Sequence, residues 1–346
     1  MHKEKVILDV DTGTDDAIAV ALAMLSGALD ILGICTVNGN LELRLTTDNT
    51  LRVVDYLDMG DRVPVIRGCE LPIASTLLPW SPQSTGIMTA YTKEDNRCIP
   101  RREGARTSKN EMHSEHLPLP ETKLQPLDKS AVVWLIETLL ASEDQSITLI
   151  ITGPLTNIGV ALRADPRIVS KIKRIVLMGG GHHCSNRTPA AEFNVWADPE
   201  AAEIVMQSGC DITCVALDAT HAACITADQA DQLQAIGTKE ASFVASMIKA
   251  RIQSRASKNG EVKGVPVHDA LAVCAVLCPD VLTEVVECNC HVDISGGYAY
   301  GRTIIDLRQK SPREPMNCKF ALNADGQRFF HWMKTVLENR AMESRT

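Results

Sequence analysis

Short apolar runs rich in β-branched residues alternate with longer amphipathic segments along this chain, and that rhythm restricts it to few folds. "VILDV" (6–10) reads as a strand, followed by a helix from Asp15 to about Ser26. "ILGICTV" (31–37), "VPVI" (63–66), "ITLIIT" (147–152), "RIVLMGG" (174–180) and "ITCVAL" (212–217) read as further strands. Helices are expected at 43–57, 129–141, 155–164 and 198–207. Strands this apolar must be covered on both faces, and strands separated by helices pair in parallel. The expectation is an α/β fold with a mostly parallel central sheet and helices on both faces. Ligands of such folds bind at the carboxyl ends of the strands.

The stretch from about 79 to 128 breaks the rhythm. It is rich in proline, carries the basic run "RCIPRREGARTSK" (97–109) and shows no clear periodicity. A loop this long in a compact domain is commonly a functional lid or an insertion. With no repeats and no composition boundary, residues 1–346 are read as one domain containing this insertion.

The remaining bounds are exclusions. A net charge of −8 provides no electrostatic footprint for nucleic acid or for an anionic membrane. No apolar stretch approaches the roughly 20 residues that span a bilayer. The start, "MHKEK", runs straight into a strand with no signal-peptide core, so a cytoplasmic location is expected. Twelve cysteines lie mostly singly within apolar runs, without a C-x2-C pair, and read as buried reduced thiols.

"DVDTGTDD" (9–16) places Asp9, Asp11, Asp15 and Asp16 at the end of the first strand. Three readings compete. Helix capping by Thr14 or Asp15, with neighbouring acids favoured by the helix dipole, accounts for about half of these carboxylates. An aspartyl-phosphate phosphotransferase also has an Asp-x-Asp after its first strand, but Gly13 stands where Thr or Val belongs, and its later lysine and acidic pair cannot be placed. A hard-cation site is the third reading, because converging carboxylates suit Ca²⁺ and the ion cancels their repulsion.

Three distant segments add donors. In "ITGPLTNIGVAL" (151–162) a Gly-Pro turn leaves a carbonyl around Thr152 free to ligate, before a helix capped near Thr156. "AAEFNVWADPEAA" (190–202) sets Glu192 and Asn194 on one side of an extended segment, with Asn186 upstream, as a set for sugar hydroxyls. "VPVHDALAV" (265–273) puts His268 and Asp269 at a helix start, as a general acid beside a metal ligand.

Taken in order, "DVDTGTDDA", "VNGN", "VPVIRG", "TGPLTNI", "MGG…N…AEFN", "VHDALA", "YGRTIID" and "NCKFALNADGQRFF" resemble the nucleoside hydrolase family, the inosine–uridine-preferring N-ribohydrolases. The resemblance covers nearly the whole chain. It implies a Rossmann-like domain assembled as a homodimer or homotetramer, acting on small nucleosides rather than on nucleic acid or membranes. It implies a Ca²⁺ held by Asp11, Asp16, the Thr152 carbonyl and Asp269, with Asp15, Asn40, Asn186, Glu192 and Asn194 on the ribose. Asp9 matches an acid that supports these ligands. The implied reaction is hydrolysis of the N-glycosidic bond by a water on Ca²⁺, with Asp11 as base and His268 as proton donor to the leaving base. A nucleoside-binding sensor would keep the fold but lose Asp11 or His268, and both are present.

The chain departs from the family pattern in three places. Thr12 replaces the signature proline, which removes a rigid turn residue. No histidine lies between His2 and His113, and "PWSPQSTG" (79–86) occupies the loop where many relatives carry one, leaving Trp80 as a candidate to stack on the base. The insertion after about Thr89 has no counterpart in that pattern.

Overall fold

The computed structural model describes residues 3–77, 115–260, 262–309 and 314–343. The first half runs β1 (Glu4–Val10), α1 (Thr14–Leu25), β2 (Leu29–Thr36), α2 (Leu43–Tyr56), β3 (Val65–Arg67), α3 (Ala131–Leu140), β4 (Ile147–Ile151), α4 (Thr156–Ala164) and β5 (Ile172–Met178). There follow α5 (Phe193–Ala197), α6 (Pro199–Met206), β6 (Ile212–Val215), α7 (Leu217–Ala222), β7 (Cys224–Ile225), α8 (Ala227–Gln234), α9 (Lys239–Asn259) and β8 (Val265–Pro266). The chain ends with α10 (His268–Leu277), β9 (Leu282–Val292), β10 (Thr303–Asp306), β11 (Cys318–Ala324) and α11 (Gly326–Glu343).

Nine of these strands form one sheet in the order β10-β9-β11-β6-β5-β4-β1-β2-β3, while β7 and β8 pair separately. The strands from β3 to β11 in this order are parallel; β9 alone runs against both β11 and β10. The mostly parallel α/β sheet expected from the sequence is therefore present, with an antiparallel edge. The chain leaves β1 toward β2 and β3 on one side, then crosses to β4 on the other. That reversal opens a crevice between the carboxyl ends of β1 and β4, where ligands of such sheets bind.

Alternation along β1 decides which way its acids face. Val6, Leu8 and Val10 pack with α1, α10 and α11 on one face. Ile7 packs with α3, α4 and α6 on the other. Asp9 follows Ile7 in this alternation, and it accepts a hydrogen bond there from Asn157 Nδ2 of α4 at 2.9 Å. Every residue of α1 is buried, and beyond its acidic first turn the helix is apolar all round rather than amphipathic.

Several local expectations are corrected. Gly13, not Thr14 or Asp15, is the N-cap of α1, and Asp16 closes the first turn by accepting from the Gly13 N–H at 3.1 Å. The cap of α4 does fall near Thr156 as expected, at Leu155, and Thr156 Oγ1 donates to Asp198 at 2.7 Å. The segment read as extended around Glu192 and Asn194 is helix α5 from Phe193 onward. Of the proposed insertion, residues 115–128 belong to the packed fold: Leu117 is buried, and Leu127 bridges to Ile66 of β3. The basic run, Trp80 and His113 lie outside the described residues. The eleven described cysteines are all free thiols. Among the described residues no helix is long and apolar enough to cross a membrane.

Candidate active site

The turn after β1 is built around one side chain. The Asp11 Oδ2 accepts from the Asn40 backbone N–H at 2.6 Å. A Cβ on Gly39 would lie 2.1 Å from that same oxygen, so only glycine lets the loop after β2 approach this closely. The other oxygen, Oδ1, is buried and has no hydrogen-bond partner among the described residues. A buried carboxylate oxygen left unsatisfied is costly and points to a missing positive partner.

Thr12, which stands in place of the family's proline, is fixed from α2 instead. Its hydroxyl lies 2.6 Å from that of Thr50, and Asn49 Nδ2 donates to its carbonyl at 3.2 Å. These bonds tie the turn after β1 to α2.

Asp15, Asp16 and Asp269 offer carboxylate oxygens that all lie within 4.8 Å of one another, each from a buried residue. Asp16 is held from two further sides. Thr152 Oγ1 donates to its Oδ1 at 2.8 Å, and Asn40 Nδ2 to its Oδ2 at 3.3 Å. Asp15 meets Arg251 NH1 at 3.1 Å. The Thr152 carbonyl is not free as expected, since Asn194 Nδ2 donates to it at 2.7 Å, but a carbonyl oxygen keeps a second lone pair.

Glu192 Oε2 collects the backbone N–H groups of Gly180, Asn194 and Val195 at 2.9–3.3 Å, joining the end of β5 to α5. Asn186 lies apart on the exposed rim, where its Oδ1 accepts from the Phe193 N–H at 2.9 Å. His268 begins α10 beside Asp269, half-buried, with Nδ1 at 2.8 Å from Thr220 Oγ1.

Burial and mutual repulsion dominate the electrostatics. Burial raises Asp9 to about 7 and, with Asp15 adding repulsion, Asp16 to about 6. Asp11 and Asp269 go well above the carboxylate range, from burial first and then from neighbouring acids. Glu192 is pushed up to about 7 by burial, against its three backbone donors. Burial brings His268 down to about 3; Asp15 opposes this, while Arg251, His221 and Arg255 add to it. Without a cation, the cluster therefore holds protons, and its imidazole is neutral.

The donor set is oxygen only: the clustered carboxylates of Asp15, Asp16 and Asp269, with Asp11 close enough for Asp16 and Asp15 to act on its charge and with its Oδ1 unpartnered. Such a set fits a hard cation and not a thiophilic metal. Four residues of the arrangement escaped sequence reasoning. Asn157 pins Asp9, the Thr36 carbonyl and the Cys69 N–H together. Arg251 braces Asp15, and Thr220 and His221 attend His268. The Asn157 position lay inside a quoted motif; the others lie on helices whose residue pattern carries no mark of the site.

Known proteins match the chain over nearly its whole length. The "Inosine-uridine preferring nucleoside hydrolase" family matches residues 6–331. The chain is 34% identical to the inosine-uridine preferring nucleoside hydrolase of Leishmania major, over 96% of this chain and 97% of that one. It is 35% identical to the pyrimidine-specific ribonucleoside hydrolase RihB of Escherichia coli (strain SE11), over 95% of this chain and 96% of that one. The solved purine-preferring ribonucleoside hydrolase from Gardnerella vaginalis superposes with a TM-score of 0.79 at 28% identity, covering 98% of this chain and 99% of that one. The match sets the phosphotransferase reading aside: the chain belongs to the inosine-uridine preferring nucleoside hydrolase family and is an N-ribohydrolase.

Proposed function

We propose that the protein hydrolyses the N-glycosidic bond of ribonucleosides to ribose and free base at the crevice between β1 and β4, with Ca²⁺ as its cofactor. The observation that carries this reading is the buried cluster of Asp15, Asp16 and Asp269, beside an Asp11 whose Oδ1 has no partner among the described residues and with His268 next to Asp269 at the start of α10. Asp11, Asp16, the Thr152 carbonyl and Asp269 would hold the ion, which when bound makes a water more acidic, though less so than zinc does.

The remaining work falls to side chains. Asp11 takes the proton of the attacking water. Asp15, Asn40, Glu192 and Asn194 hold the ribose hydroxyls, with Asn186 at the rim. Bond breaking leaves positive charge on the sugar, as in glycosidases, and the acids and amide oxygens around it favour that charge over the neutral ground state. Arg251 pairs with Asp15 at 3.1 Å and holds it in place.

His268 passes a proton to the departing base. A histidine held this low is seldom charged at neutral pH, but it is a strong acid whenever it is. The base becomes electron-rich as it leaves, which favours the charged imidazole at the moment the proton is needed. The electron pair of the broken C–N bond then takes that proton. The proposed assembly is a homodimer or homotetramer, following the family resemblance.

The His268→Ala variant tests the assignment. A nucleobase departs poorly unless protonated, whereas p-nitrophenolate needs no proton. A positioned general acid contributes ~10²–10⁴-fold. The kcat on ribonucleosides should fall by about that factor, and far less on p-nitrophenyl riboside. Equal losses on both substrates, with fold and calcium content intact, would exclude His268 as the donor.

A further inference from the structure

The helix α7 touches both loops that frame the site. Its Asp218 accepts from the backbone N–H groups of His182 and His183 at 2.8 and 2.9 Å, which fixes the chain after β5. Farther along the same helix, Thr220 is almost wholly buried, and its hydroxyl oxygen lies 2.8 Å from His268 Nδ1. His221 sets its ring against that of His268, with centroids 5.6 Å apart and planes tilted by 60°.

The Thr220 hydroxyl also reaches the Leu217 carbonyl, an oxygen that can only accept, at 3.2 Å. A hydroxyl that donates there offers only lone pairs to the imidazole, and the hydrogen between the two side chains then belongs to His268 Nδ1. We propose that Thr220 is a positioning residue that holds His268 as the Nδ1–H tautomer, leaving Nε2 as the nitrogen that carries the transferred proton. This inference rests on the reading of His268 as the donor to the leaving base.

The tautomer decides how the ring is recharged. A neutral ring with its hydrogen on Nε2 would have to take its second proton at Nδ1, where the Thr220 oxygen must turn from donor to acceptor before Nε2 can release its own. With Nδ1–H fixed, Nε2 first takes a proton from solvent. Its N–H bond then breaks as the new N–H bond forms on the base, using the electron pair released from the glycosidic bond. The imidazole returns to the neutral tautomer it started from, still held by Thr220. A hydrogen bond from an outer residue often selects the working nitrogen of a histidine in this manner. The His221 ring limits rotation from one side.

Thr220→Val keeps the side-chain shape and removes the acceptor; Thr220→Ser restores it. Nitrogen-15 spectra of the calcium-loaded protein, with the His268 signals assigned by comparison with His268→Ala, should show a protonated Nδ1 in the native protein and a loss of that preference in Thr220→Val. Misplacing a reacting group by about an ångström costs ~10²-fold, so kcat on ribonucleosides should fall roughly 10- to 100-fold in Thr220→Val. The fall should exceed that on p-nitrophenyl riboside, leave KM nearly constant and be reversed in Thr220→Ser. A native spectrum with the neutral ring protonated at Nε2 overturns the proposal, even if Thr220→Val does not fold. So does a folded Thr220→Val with native tautomer and native kcat. Equal losses on both substrates in His268→Ala would instead remove the donor reading itself. A leaving-group-dependent His268→Ala beside an indifferent Thr220→Val removes only the role of Thr220.

Discussion

Replacing Asp11 by Asn should lower kcat by about 10²–10⁴-fold on ribonucleosides and on p-nitrophenyl riboside alike. An amide keeps an oxygen for the Asn40 N–H, so the turn after β1 retains the bond that shapes it. What it loses is the basicity needed to take a proton from water, and every substrate needs that water. The measurement belongs at saturating Ca²⁺, because an uncharged ligand binds the ion more weakly. Paired with His268→Ala, the variant separates the two ends of the reaction: one loss is independent of the leaving group and the other depends on it. A loss confined to nucleosides would show that Asp11 serves the base and not the water.

Removing the cation should make stability fall as pH rises. In the cation-free fold Asp16 is raised to about 6 and Asp9 to about 7, while Asp11 and Asp269 are raised further, all chiefly by burial. Ionised in the unfolded chain near 4, these groups hold protons longer in the folded one. Over that interval the native state binds more protons, so the free energy of unfolding declines with pH. The contribution is complete below about 4 and is lost as pH rises through 6 and 7. A bound cation stabilises the charged carboxylates and removes this slope, besides adding its own binding free energy. In chelator the melting temperature should therefore drop between pH 5 and 8, and with Ca²⁺ it should stay nearly level. Identical melting temperatures at pH 8 with and without chelator would contradict a cation among these acids.

Much of this architecture was legible because period and composition report directly on burial. "VILDV" and "ITLIIT" became neighbouring parallel strands, and the acids after the first of them stand at the sheet's switch point. Boundaries were less legible: β2 begins at Leu29, before the apolar run, because Leu29 and Asp30 pair with Glu4 and Lys5. Ladder pairing, and not hydropathy, sets that edge. The extended reading of Phe193 and Asn194 failed because Glu192 caps a helix through its side chain, a choice that local propensity does not reveal.

Within the site, residues in compact motifs were visible, and those that act from other helices were not. Asp16 and Asp269 lie far apart in sequence, yet each sits at a helix start after a strand, where a carboxylate invites a question. Arg251 is one of several basic residues on α9, and only the fold brings its guanidinium to Asp15. Thr220 is likewise an ordinary helical threonine until α10 sets a histidine against it.

The central claim is that this cluster cleaves ribonucleosides with water. The direct measurement is turnover of inosine, uridine, adenosine, guanosine and cytidine by the calcium-loaded protein in phosphate-free buffer, with free base and reducing sugar quantified together. The account predicts that at least one of these yields base and ribose in equal amounts, and that Asp16→Ala abolishes both bound calcium and turnover. Release of base only when phosphate is supplied, or full turnover by an Asp16→Ala protein without calcium, would contradict it.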